Sequence, residues 1–101
     1  MITIYKGTLY QVPIQSHVEI VGARLYNLAT RTTIHMILGN VSSEDGTFNY
    51  TATIEAEATA ELPQGIYNLE LYSGKSGEEV IQAYYENYAK VKESSFTQEY
   101  A

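Results

Sequence analysis

Residues 46–73, GTFNYTATIEAEATAELPQGIYNLELYS, constrain the fold more than any other stretch of the chain. Phe48, Tyr50, Ala52 and Ile54 fall on one side of an alternating run, and Thr47, Asn49, Thr51, Thr53 and Glu55 on the other. A period of two belongs to a half-buried strand, because successive side chains leave opposite faces of the pleat. Ile66 to Tyr72 repeats the pattern with Tyr67, Leu69 and Leu71 inward. Pro63-Gln64-Gly65 lies between them as a turn: proline pre-sets φ near its start and glycine suits its exit. The residues Glu55 to Leu62, rich in Ala and Glu, favour a helical turn too short to stand alone. They read as a crossover between two sheets, with Leu62 tucked inward.

The rest of the chain fits the same plan. Ile2 to Tyr5 reads as a short edge strand broken at Lys6-Gly7, and Thr8 to Ile14 as a strand whose Pro13 marks an edge or bulge. Val18 to Leu28 is a third candidate. Gly22 bends or bulges it, placing Ala23, Leu25 and Asn27 on one face and Arg24, Tyr26 and Leu28 on the other. Thr32 to Leu38 is β-branched and apolar enough for a central strand, and Gly39 to Asp45 is a polar turn region closing on Gly46. Glu78 to Lys92 admits two readings. On a helix, Ile81, Tyr84, Tyr85, Tyr88 and Val91 share a face; on a strand, Ile81, Ala83, Tyr85, Asn87, Ala89 and Val91 do. Its tyrosines and valines, and the short loop before it, favour the strand. About seven short strands with no long helix predict an all-β, immunoglobulin-like antiparallel β-sandwich over residues 1–93. Residues 94–101 read as a C-terminal tail that needs a partner for order. Tyr67, just after a turn, is either a tyrosine corner aimed at upstream backbone or a core aromatic with a wet tip.

Chemistry is harder to find than fold. His17 and His35 lack an i, i+4 partner, and with no cysteine in the chain they predict no metal site, cofactor or thiol nucleophile. Asp45, the sole aspartate, sits in a Ser-Ser-Glu-Asp-Gly turn, and no G-x-S-x-G elbow accompanies it. Gly74-Lys75-Ser76 looks like the end of a phosphate loop, but the upstream glycine it requires is Leu69. Glu55, Glu57 and Glu61 lie on a solvated connection rather than in a cleft that could part their pKa values. Asn40-Val41-Ser42 and Asn49-Tyr50-Thr51 match the glycosylation triplet by chance, without a secretory signal. No enzyme is expected.

Charge narrows the partners. The net charge is -6 and the six basic residues are scattered, so no phosphate-tracking surface and no nucleic-acid partner is expected. No signal peptide and no apolar run of about 20 residues is seen, so no membrane partner is expected either. Ten tyrosines and no tryptophan are the remaining anomaly. They exceed what one small core can bury, and tyrosine is enriched at protein interfaces. Tyr84, Tyr88 and Tyr100 near the C-terminus, and the early edge residues Ile2, Ile4 and Tyr5, are the candidate interface; ordinary cross-strand pairing is the bland alternative.

Ile4-Tyr5-Lys6-Gly7-Thr8, the VEIVGARLY strand, the G-T-F-x-Y-x-A-x-I run and L-P-x-G-x-Y-x-L-E-L over Leu62 to Leu71 follow in an order that resembles a known pattern. It is that of the immunoglobulin-like domains of tailed-bacteriophage virion proteins: baseplate adaptors, head fibres and capsid decoration proteins. Leu62, Pro63, Gly65 and Tyr67 carry the most telling part; the Ala29 to Asn40 region and the long, tyrosine-rich last strand depart from it. The resemblance implies a virion component without an active site. The expected role is an auxiliary capsid subunit, made in the host cytoplasm, that docks on the major capsid protein and links it to a head fibre, with self-association as a further route. A tail or baseplate adaptor and a glycan-binding adhesion domain are the alternatives.

Overall fold

The structure is a computed structural model, and it describes residues 1–75 and 77–93. Tyr100, the 94–101 tail and Ser76 lie outside the described residues. Seven strands and one short helix follow in the order β1 (Ile2–Tyr5), β2 (Tyr10–Ser16), β3 (Gly22–Asn27), β4 (Thr32–Glu44), β5 (Thr47–Ile54), α1 (Ala56–Ala60), β6 (Gly65–Ser73) and β7 (Val80–Lys92). The strands neighbour one another in the order β1-β7-β6-β3-β4-β5-β2. The all-β class holds, as a sheet that folds over on itself into a nearly closed barrel or sandwich.

The hinge between layers is β4. Its first half pairs with β3 as far as Met36↔Ala23, and its second half pairs with β5 from Ile37↔Thr53 onward. One layer is therefore β1, β7, β6, β3 and the start of β4; the other is the rest of β4 with β5 and β2. The open seam lies between β1/β7 and β2.

The alternating runs do what their period requires. Tyr50, Ala52 and Ile54 of β5 and Tyr67, Leu69 and Leu71 of β6 point into the core with Ala23 and Leu25 of β3. Full burial of each large side chain is worth about 1.5–3 kcal/mol. The crossover is as read: α1 is a single turn and a half, Leu62 behind it is buried, and the chain passes from β5 in one layer to β6 in the other. The 79–92 segment is strand.

Several expectations need correction. The sandwich is not wholly antiparallel, because β1 runs parallel to β7, Ile2 opposite Ala89 and Tyr5 opposite Lys92. The polar Gly39–Asp45 region is not a turn: β4 continues through it, with a register shift between Gly39 and Ser42, and the reversal is Asp45-Gly46 alone. Both have positive φ (51° and 77°), the requirement of a two-residue hairpin turn. The sequence hid this hairpin end because it projects beyond the core and has no buried face to set an alternation. Residues 18–21 are outside β3; Ile20 is a buried loop residue whose N–H donates to the Tyr50 hydroxyl at 3.0 Å. Gly22 opens β3 and marks a close approach rather than a bulge, because the Tyr72 ring lies where its Cβ would stand. Finally, β2 runs from Tyr10 to Ser16 and pairs with β5 only, the edge position that Pro13 tolerates.

Candidate docking surface

Three sets of side chains could recognise something. The first is the outer face of the β3–β6 layer. Arg24 Nε sits 2.8 Å from Glu70 Oε1, and its guanidinium carbon lies 5.1 Å from the centroid of the Tyr72 ring. His35 meets Tyr72 edge-on, with Nδ1 3.2 Å from the phenol oxygen. These partners hold one another, and the result is a rigid polar-aromatic platform.

The second set is on β7. Two irregularities shape this strand. Between Leu71↔Ala83 and Tyr72↔Ile81 it holds one extra residue, and between Leu69↔Tyr85 and Tyr67↔Ala89 it holds two. The inward parity of Ala83, Tyr85, Ala89 and Val91 survives, since two extra residues restore it, but Ile81 is turned onto the Tyr72 side. Asn87 takes a left-handed φ of 51° in the larger bulge, a conformation asparagine tolerates better than most residues. Asn68 clamps the bulge: its Oδ1 accepts the Asn87 N–H at 3.0 Å while its Nδ2 donates to the Tyr84 hydroxyl at 2.9 Å. Tyr84 thereby stands fixed on the outer face, 49% exposed, and Tyr85, 48% exposed, looks into the seam opposite β2.

The bulge separates residues that an unbroken pattern puts together. Tyr88 does not share a surface with Tyr84; it turns toward the seam, where it neighbours the Tyr10 phenol on β2. Burial first, and then this neighbour, push the Tyr10 phenol well above its usual range. One tyrosine from each open edge thus meets the other across the seam. Beside this pair is a cleft of about 140 Å³ lined by Pro13, Ile14, Leu69, Leu71, Tyr85 and Tyr88. It runs into a second of about 200 Å³ that shares Gln15, Leu71 and Tyr85 and adds His17 and Gln82.

The third set is an open groove of about 690 Å³ between the β3–β4 loop, β6 and β7, where Gln64, Asn68 and Asn87 flank Tyr84, with Leu28 and Ile66 at its sides.

The early candidates divide. Ile4 is corrected: at 1% exposure it is a core residue, inserted by β1 beside Val91, and cannot serve as surface. Ile2 is half-buried, and Tyr5 is 47% exposed on the edge strand. The closing strand is an edge only in part, since β1 covers its residues 89–92. At the turn, the Tyr67 hydroxyl donates to the Pro63 carbonyl at 2.7 Å, and Gly65 has a φ of 138° that few other residues accept. Burial raises the Tyr67 phenol above its usual range.

Two features escaped the sequence reading. Tyr85 is absent from the candidate interface although its inward parity places it at the seam. Thr59 is the other, a fully buried hydroxyl on α1 that accepts the Gly7 N–H at 3.1 Å and donates to the Thr8 carbonyl at 2.7 Å. Among the described residues no group of three or more His, Cys, Asp or Glu is placed to hold a metal, and no helix is long and apolar enough to cross a membrane. Glu55, Glu57 and Glu61 are all exposed on or beside α1. Comparison of the chain with protein-family models, curated proteins and solved structures finds no match.

Proposed function

We propose that this protein is a non-enzymatic structural subunit of a tailed-bacteriophage virion, an auxiliary or decoration protein that docks on the head exterior and links it to a fibre. On this reading its sandwich is of the immunoglobulin-like type and its partners are the major capsid protein and a head fibre. The observation that carries the proposal is the exposure of Val80, Ile81, Tyr84 and Tyr85 together on one strand. A strand that exposes large apolar and phenolic groups on both its faces suits burial against another subunit. Support comes also from the corner: Leu62, Pro63, Gly65 and Tyr67, which carry the sequence resemblance, act in this structure as one turn-and-core unit. The acidic balance suits a partner other than packaged nucleic acid.

The test is particle occupancy. Tyr84→Ser and Tyr85→Ser should each leave the fold intact and lower incorporation into virions, whereas normal occupancy in both would overturn the reading. Imaging the particle separates a head position from a tail or baseplate one. The amide-lined groove beside Tyr84 favours a second reading, a glycan-binding adhesion domain. Amides and an aromatic flank suit neutral sugar hydroxyls and ring faces, and the groove's volume lies within the range of ligand sites. Saturable binding of the isolated protein to host-surface polysaccharide, lost in Asn87→Ala, would select it.

A further inference from the structure

We infer that the seam between β2 and residues 80–88 of β7 is a receptor groove for one extended, basic-flanked segment of another protein chain, which adds as a strand to the β7 edge. The inference deepens the docking reading above and rests on it for the identity of the partner.

The edge itself comes first. In the strand order β1 and β2 are the two ends and β1 flanks β7, but β1 is four residues long and covers only residues 89–92 of β7. Among the described residues, no strand pairs with the outer side of 80–88, and β2 pairs with β5 alone. An extended strand edge offers alternate N–H and C=O groups to any chain that reaches it. Natural edges are protected by lysine, proline or other charges, by bulges or by a covering element; VIQAYYENY has neither lysine nor proline, and its protection is Glu86 and its bulges. Its two bulges twist the strand, and in doing so they carry Tyr85 and Tyr88 to the walls of the clefts.

β1 shows what a strand in this position does. It lies along β7 and drives Ile4 into the core, where that side chain is almost wholly buried. Further along the same seam, the first cleft has the capacity for one aliphatic side chain over Leu69 and Leu71. The second, with Gln15, His17 and Gln82, suits a side chain that hydrogen-bonds. A strand turns alternate side chains to one side, so the segment that fits presents an aliphatic residue followed by a polar one at alternate positions.

Charge and shape choose among occupants. Residues 75–88, which lead into and form this edge, carry Glu78, Glu79 and Glu86 against Lys75, while Lys90 and Lys92 follow only where β1 covers the strand, which favours lysine or arginine flanking the segment. The chain's own residues 94–101 carry Glu99 and no basic residue. A second folded copy would have to bring a whole sheet edge to β7 where Pro13, Ile14 and Gln15 of β2 already overhang it. A single extended segment needs no such room.

The test uses the full chain and short synthetic peptides alternating valine and threonine, with lysines at both ends in one and glutamates in the other. Amide exchange and NMR shifts should show saturable protection of those amides of residues 80–88 that point away from β6, and shifts at residues 13–18, with the lysine peptide, weakened by salt and absent with the glutamate peptide. Tyr85→Lys should weaken binding of the lysine peptide about tenfold or more by removing an aromatic wall of the cleft and placing a like charge in it. Glu78→Gln with Glu79→Gln should reduce the salt dependence, and Ile37→Ser, on a different part of the surface, should leave binding unchanged. No saturable binding of the lysine peptide, or shifts confined to the Arg24–Tyr72 platform, would overturn the inference. So would slow exchange, without peptide, at the amides of 80–88 that point away from β6, whether constant or rising with protein concentration, since the chain would then cover its own edge. Peptide binding by a protein that never enters particles would leave this inference standing and sink the virion role.

Discussion

The Tyr67 hydroxyl donates a 2.7 Å hydrogen bond to the Pro63 carbonyl four residues upstream, and the ring beneath it is fully buried. This bond pins the exit of the crossover to the first core residue of β6. Tyr67→Phe keeps the ring but leaves the Pro63 carbonyl without that donor. Removing one partner of a part-buried hydrogen bond costs about 1–2 kcal/mol. Tyr67→Ala should cost about 3–5 kcal/mol, because it also empties the core position. Urea unfolding of the two variants measures both, and a phenylalanine variant as stable as the parent would show that the corner bond contributes nothing.

Thr59 predicts a different failure. Its hydroxyl is the joint between α1 and the β1–β2 turn, accepting from Gly7 and donating to Thr8. Valine has nearly the same shape and neither capability. Thr59→Val should destabilise the protein by about 2–3 kcal/mol, while Thr59→Ser should retain most of the stability. The loss should be local before it is global: amides of residues 2–7 should exchange faster than those of β5 and β6, since β1 is held at its end by this joint. Uniform acceleration across all strands would contradict that role.

How much of this was legible beforehand follows from where the core reaches. β5 and β6 were readable because each has one face on the core, so burial imposes a period of two on their side chains. The Leu62 to Tyr67 corner was readable because proline, glycine and tyrosine each fill a position few other residues can. The end of β4 was not, because a strand that pairs beyond the core gains nothing from alternation. β7 was readable as strand but not in detail. Its bulges at Gln82 and at Glu86–Tyr88 depend on the register against β6, a non-local property, and they decide that Tyr84 and Tyr88 face different neighbours. Thr59 was invisible for a similar reason: its partners are more than fifty residues away in the chain. Ile4 was misplaced because an edge strand's apolar residues read alike whether they face a partner or the core.

Gly22 and Tyr72 form a contact that a single methyl group would break. A Cβ at Gly22 would stand 2.3 Å from the tip of the Tyr72 ring. That atom belongs to a movable side chain, so Gly22→Ala should fold with the ring swung away rather than fail to fold. The ring would leave Arg24 and His35, giving up a cation–π contact worth about 0.5–1 kcal/mol at such sites. The expected outcome is a destabilisation of about 1 kcal/mol, with loss of the Tyr72 ring-current shifts on the Arg24 and His35 side chains. Unchanged shifts would mean that the backbone, not the ring, gives way.

Alkaline pH should destabilise the protein through two of its buried phenols. The Tyr10 phenol is raised above its usual range by burial and by Tyr88, and the Tyr67 phenol is raised by burial. In the unfolded chain both ionise near pH 10. The unfolded state therefore holds fewer protons than the folded state once the pH passes about 10, and stability must fall as pH rises through that point. Below it both states are fully protonated at these groups and the contribution is constant. Phenolate absorbance should accordingly show two tyrosines titrating late, in step with loss of β circular dichroism. Tyr10→Phe removes one of the two and cannot be charged, so its stability should decline less steeply above pH 10 than the parent's. An identical slope would place the Tyr10 phenol in solvent rather than in its half-buried position beside Tyr88.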